Sequence, residues 1–219
     1  MSAIQFNAIS KEKSTNLIVD ISATNWQTVL DKIDAVGPHV VAVMLHIDTV
    51  NFNDRTAFNN FVANLLELKE KHNILVIEDR KYADKPAIVS AQLDRFDVYM
   101  WADVVTAHGI CGAEPIRAIS ARHLHVLLIH TMCIPGNIVA KNLAYQDLVF
   151  NMGDHLSEQG LLITGFISQE MVRVSFDANG KTKSHLTFAY YAGEPPKADY
   201  CIYEMRANDI TIGDVLKRS

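Results

Sequence analysis

Cysteine is scarce in this chain of 219 residues: Cys111, Cys133 and Cys201 are the only three, and no two are close. Without a CxxC pair or a ladder of spaced pairs, a disulfide-stapled secreted fold is excluded and a reducing compartment fits best. Excess positive charge is missing as well, the formal net charge being −5. That leaves no electrostatic footprint for nucleic acid or an anionic membrane. No run reaches the roughly 18 consecutive apolar residues of a membrane span. The opening "MSAIQFNAISKEKSTN" lacks the apolar stretch of a signal peptide. There is no linker, low-complexity tract or internal repeat, so residues 1–219 are expected to form one cytoplasmic domain.

What is present is an ordinary globular balance, 49% apolar and 21% charged. Apolar, β-branched runs recur at 16–22, 40–48, 73–79, 102–108, 125–132, 161–168, 185–191 and 199–205. Continuous rather than alternating apolar runs are the mark of strands buried on both faces. Helical patterns separate them. Trp26, Val29, Leu30 and Ile33 share one stripe that stops at Gly37-Pro38, and Phe58, Phe61, Leu65, Leu66 and Leu68 form another. A third lies at 143–160, while the last two crossovers look short or irregular. Eight strands alternating with crossovers predict an α/β fold, a single compact (β/α)8 TIM barrel.

In such a barrel, function sits at the C-terminal ends of the strands. That rule selects Asp20, Ser22, His46, Asp48, Asp79, Lys81, Asp84, His108, Thr131, Cys133, Ser168 and the stretch Glu204 to Arg206. The densest group is "EDRKYAD" (78–84), a D-x-K-x-x-D pattern. An ammonium between two carboxylates is held charged and in place. It can protonate a carbanion left by departing CO2 while a carboxylate repels the substrate's own. The same letters also describe a strand ending in solvated charges, with Asp84 as N-cap and Pro86 in the first helical turn. The histidines suggest no metal: His123 and His125 flank Leu124 with no cysteine near them in the sequence. Cys111 in "HGICG" has no evident base partner for nucleophilic catalysis.

"EDRKYAD" is similar to the signature of orotidine 5′-phosphate decarboxylases. "KSTNLIVDIS", "DAVGPHVVAVMLHID", "WADVVTAHGICG" and "LLITGFIS" resemble that family's first, second, fourth and sixth strand regions, in order. The resemblance implies a cofactor-free (β/α)8 homodimer with Asp79 and Lys81 in their own site, Lys81 as proton donor. Asp84 would lie at the subunit interface and reach the partner's site. It implies substrate contacts at Asp20, Ser22, His46, Asp48, Cys133 and Arg206, and no metal.

The chain departs from that pattern at several points. Met44 stands where the family has a second lysine, and where related phosphosugar enzymes place a metal-binding glutamate. A thioether replaces neither. The serine and aspartate of the first strand appear in inverted order as Asp20 and Ser22, and Cys133 takes the place of a base-binding serine. About 170–219 diverge. Only "GEPPK" (193–197) separates the last two expected strands, too short for the family's phosphate lid. Beside Arg206, Glu204 or Met205 replaces a phosphate-binding glycine. These departures argue against nucleotide binding. The expected protein is a catalytically degenerate barrel kept for a binding, scaffold or assembly role. The alternative is an active decarboxylase making UMP in pyrimidine synthesis.

Overall fold

The apolar runs become the eight staves of a closed, all-parallel barrel in a computed structural model. The structure describes residues 3–132, 134–169, 175–176, 182–183, 185–190, 198–205, 209 and 213. The strands are β1 (Leu17–Ile21), β2 (Ala42–Leu45), β3 (Leu75–Tyr82), β4 (Val104–His108), β5 (His125–Ile129), β6 (Ile163–Ile167), β7 (Leu186–Tyr190) and β8 (Tyr200–Met205). Each pairs with its sequence neighbours, and β1 closes the ring against β8, Leu17 opposite Cys201 and Ile21 opposite Met205. The helices are α1 (Ala3–Lys13), α2 (Trp26–Val36), α3 (Arg55–His72), α4 (Pro86–Arg95), α5 (Val98–Trp101), α6 (Ala113–Ser120) and α7 (Leu143–Glu158). No helix among the described residues is long and apolar enough to cross a membrane.

Burial on both faces explains the continuous apolar runs. Alternate residues such as Ile18, Met44, Ile77 and Leu127 fill the barrel, while Val19, Val43, Val76 and Val126 face the helices. The stripes expected on α2 and α3 supply the outer layer through Val29, Ile33, Phe58, Phe61 and Leu65, but Leu66 is exposed. Local chemistry sets the helix ends. Asn25 and Asp54 cap α2 and α3 by accepting from Thr28 N–H and Ala57 N–H. Asn73, at φ 46°, closes α3 in a left-handed turn.

Several expectations need correction. β3 runs on to Tyr82, so Asp79 and Lys81 belong to the strand and are not loop charges. β5 stops at Ile129, short of the expected 132. Lys85, not Asp84, is the residue capping α4, with Pro86 in the first helical turn as expected. Proline at that position forces Lys85 into extended backbone, which moves the cap one residue on. Helix α1 is an addition. It buries Phe6 and Ile9 in the inner cluster with Phe188 and Tyr200, and Lys13 Nζ donates to the carbonyls of Gly37, Val40 and His72. The two late connections hold an antiparallel ribbon, Ser175–Phe176 with Thr182–Lys183, before β7, and residues 191–199 between β7 and β8. The segment 193–197, read as too short for a lid, lies outside the described residues.

Candidate functional site

The polar residues near the C-terminal ends of β1 to β4 and β7 converge because they follow the inward-facing positions of their staves toward the barrel mouth. Asp79 is the hub, its side chain fully buried. Its Oδ1 accepts from Thr106 Oγ1 at 2.6 Å. Its Oδ2 is bonded to the Lys81 ammonium and accepts from Tyr190 Oη at 2.8 Å. Tyr190 Oη also lies 3.3 Å from Asp20 Oδ2 and 3.1 Å from Met44 Sδ. His46 Nε2 sits between the two carboxylates, 3.4 Å from Asp20 Oδ1 and 3.6 Å from Asp79 Oδ2.

Backbone irregularity brings Lys81 into this group. The register of β3 against β4 shifts between Glu78 and Tyr82, the signature of a bulge, which re-aims a side chain. Lys81 has φ 59°, a conformation a non-glycine residue adopts at a cost of about 1 kcal/mol or more. Its N–H donates to Thr106 Oγ1 at 3.0 Å, so one threonine fixes both the lysine backbone and the Asp79 carboxylate. The resulting pair is a positioned ammonium against a buried carboxylate, able to deliver a proton to a developing carbanion.

Electrostatics divide the neighbours. Burial works against the imidazolium of His46, but Asp20 and then Asp79 outweigh it, so its pKa is raised. His108, at the end of β4, goes the other way, lowered by burial and by Lys81. Glu78 points to the outer layer and is completely buried. Its Oε2 accepts from Ile47 N–H at 3.1 Å, and burial pushes its pKa up to about 8. Beside it the phenol of Tyr82 is raised by burial and by Glu78.

The expected residues are not all brought together. Asp20, His46, Asp79 and Lys81 join one network. Asp84 stays on the rim, accepting from Lys85 N–H at 2.7 Å, and does not reach Lys81 within the chain. Asp48 is exposed and paired with Arg80. Ser22 is half-buried past the end of β1, where its N–H donates to Met205 O. Thr131 and Ser168 form a separate cluster with His130. Glu204 is exposed on β8 and Cys111 is exposed ahead of α6. Cys133 and Arg206 lie outside the described residues. Thr106, Tyr190 and Glu78 were not anticipated as site residues. Tyr190 and Thr106 were legible only as polar residues on inward positions of apolar strands.

A family model described as "Orotidine 5'-phosphate decarboxylase / HUMPS family" matches residues 15–191. The chain is 38% identical over 108 residues to an orotidine 5′-phosphate decarboxylase of Pichia kudriavzevii, a match covering 48% of this chain and 40% of that protein. It is 37% identical over 109 residues to the one from Kodamaea ohmeri, covering 49% and 41%. For the one from Cyberlindnera jadinii the figures are 33% over 114 residues, 51% and 42%. The chain thus spans about two fifths of the length of these relatives. Among solved structures, orotidine 5′-phosphate decarboxylase from Pyrococcus horikoshii OT3 is similar in fold, with a TM-score of 0.60 at 15% identity. That likeness covers 86% of this chain and 88% of the other.

Proposed function

The chain belongs to the orotidine 5′-phosphate decarboxylase / HUMPS family, and on that premise we propose a barrel that no longer decarboxylates orotidine 5′-phosphate and serves a binding, scaffold or assembly role. Met44 carries this reading. It is completely buried inside the barrel, opposite Asp20 and Ile77 in register. The resemblance places a lysine there. Instead of an ammonium, a thioether accepts the Tyr190 hydroxyl. Asp79 keeps the Lys81 ammonium, while Asp20 adds a second buried carboxylate facing the same space. A substrate bearing a carboxylate and a phosphate would meet two anions and one fixed ammonium. At an effective dielectric near 20, one uncompensated pair at 4 Å opposes binding by about 4 kcal/mol.

Following the absorbance of orotidine 5′-phosphate tests this directly. The expected result is no turnover by the wild type above that of a Lys81→Ala control. Turnover that vanishes in Lys81→Ala overturns the proposal and establishes the other reading, an active decarboxylase, which the retained Asp79–Lys81 pair supports.

We also infer a cytoplasmic homodimer joined through the barrel mouths, with Asp84 at the interface. Support comes from large apolar side chains left exposed in the segments after β4 and β5, Ile110, Ile134, Ile138 and Leu143. Among the described residues Asp84 also has no cationic partner to match the family pattern. Sedimentation equilibrium at micromolar concentration should give a dimer that weakens in Ile110→Asp; a monomeric wild type contradicts it.

A further inference from the structure

The barrel floor, at the end opposite Asp79, holds a cavity of about 280 Å³ beside the first residues of β3, β4 and β5. Leu75 and Val104 line it from the strands, Phe6 from α1, and Tyr99 and Met100 from α5. Roughly 150 Å³ is enough for one benzene ring, so this volume takes one ring or two fused rings. Tyr99 and Met100 are 42% and 62% exposed, so the open side of the cavity carries two large side chains that water covers poorly. A phenol ring and a thioether both favour an aromatic neighbour.

Two polar groups in the wall are placed there by the strands. Thr164 is the extra residue of the β6 bulge, a device that re-aims a side chain. Its Oγ1 lies 3.4 Å from Nδ1 of His125, the first residue of β5, and both residues line the cavity. His125 is buried, and burial lowers its pKa, so the ring is neutral at pH 7. With Nδ1–H donating to Thr164, Nε2 is an acceptor, and it has no partner among the described residues. An acceptor in the wall of a largely apolar cavity gains from a ligand N–H or O–H.

Charge decides against an anionic occupant. Lys69 Nζ is bonded to Asp103 Oδ1 at 2.7 Å, and the Arg122 guanidinium is bidentate on Asp94 at 2.9 Å. The two fixed cations of the wall are therefore already neutralised, and an anion would have to break one of these pairs. We propose that the floor cavity binds a neutral aromatic molecule of one or two rings, with its N–H or O–H donating to His125 Nε2. Its ring would lie against Phe6, Tyr99 and Met100. The site is separate from the carboxylates at the mouth and does not rest on loss of decarboxylation.

Indole tests this on the full chain by saturation-transfer NMR and thermal melts, with indene as the isostere that lacks the N–H. Indole should bind saturably and raise the melting temperature. It should bind about tenfold more tightly than indene, the worth of one hydrogen bond. His125→Leu should remove that difference by weakening indole alone. Val104→Phe enlarges a wall residue and should abolish binding of both probes. Met100→Ser, at an exposed position, should weaken both about threefold. Melts without probe establish that the variants are folded. Absence of indole binding overturns the proposal, as does binding that survives Val104→Phe and Met100→Ser unchanged, which would place the probe elsewhere. Equal loss of indole and indene in His125→Leu overturns the hydrogen bond, and benzoate binding more tightly than indole overturns the neutral class. No nucleotide is present, so this test and the orotidine 5′-phosphate assay fail independently.

Discussion

Replacing Gly165 by alanine should destabilise the barrel by at least about 3 kcal/mol, the upper end of ordinary overpacking. The reason is a backbone approach that no side-chain adjustment relieves. A Cβ at Gly165 would lie 2.0 Å from the carbonyl oxygen of Leu186 and 2.9 Å from its nitrogen. The closeness has a local origin. Along β5 and β6, Val126 stands opposite Ile163 but Leu127 stands opposite Gly165, so Thr164 is an extra residue and β6 is bulged. The bulge presses β6 against β7, where Gly165 is the register partner of Leu186. Glycine inside a strand often marks such an approach. For a chain of this size the melting temperature should fall by roughly 6–12 °C or more. Gly160→Ala is the comparison. Its φ is +83° but the space around it is open, so only backbone strain remains, about 1–2 kcal/mol. Equal melting temperatures for the two variants would show that β7 can move away from β6, contrary to a tightly closed ring.

The staves were legible in the sequence because burial on both faces leaves long β-branched runs that little else produces. Each of the eight runs overlaps an observed strand, and errors are confined to ends. "EDRKYAD" marked the pair at the centre of the site, but its context was misjudged at two points. The charges of Lys81 and Arg80 suggested the strand had ended, whereas the bulge lets β3 carry charged residues to Tyr82. Asp84 had the residue type of a cap, yet Pro86 shifted that role to Lys85. Other partners of Asp79 were hidden for a different reason. Thr106 and Tyr190 lie 27 and 111 residues away, and only ring closure, which no local pattern encodes, brings them together. Glu78 was invisible too, since a glutamate beside three charged residues gives no sign of complete burial.

Helix α1 was missed because its sequence, AIQFNAISKEK, has few large apolar residues to set a helical period. Its importance lies in one of them. Phe6 is 1% exposed and meets Phe188 and Tyr200, with ring centroids 5.1 and 5.3 Å apart in edge-on geometry. Phe188 and Tyr200 stack on each other at 5.2 Å, and Tyr200 Oη donates to Asn7 Oδ1 on the same helix. These contacts connect α1 to β7 and to the start of β8, at the end of the barrel opposite the site. Phe6→Ala removes the ring from a stack that cannot collapse without moving strands, so the cost should be about 3–5 kcal/mol. The melting temperature should drop by roughly 6–20 °C. Lys11→Ala, on the exposed face of α1, should stay within about 0.5 kcal/mol. Phe6→Leu should fall between the two. If Phe6→Ala melted like Lys11→Ala, α1 would be an accessory to the barrel, and the inner cluster would have to be complete without it. The expected ordering instead makes α1 the closure of the barrel floor.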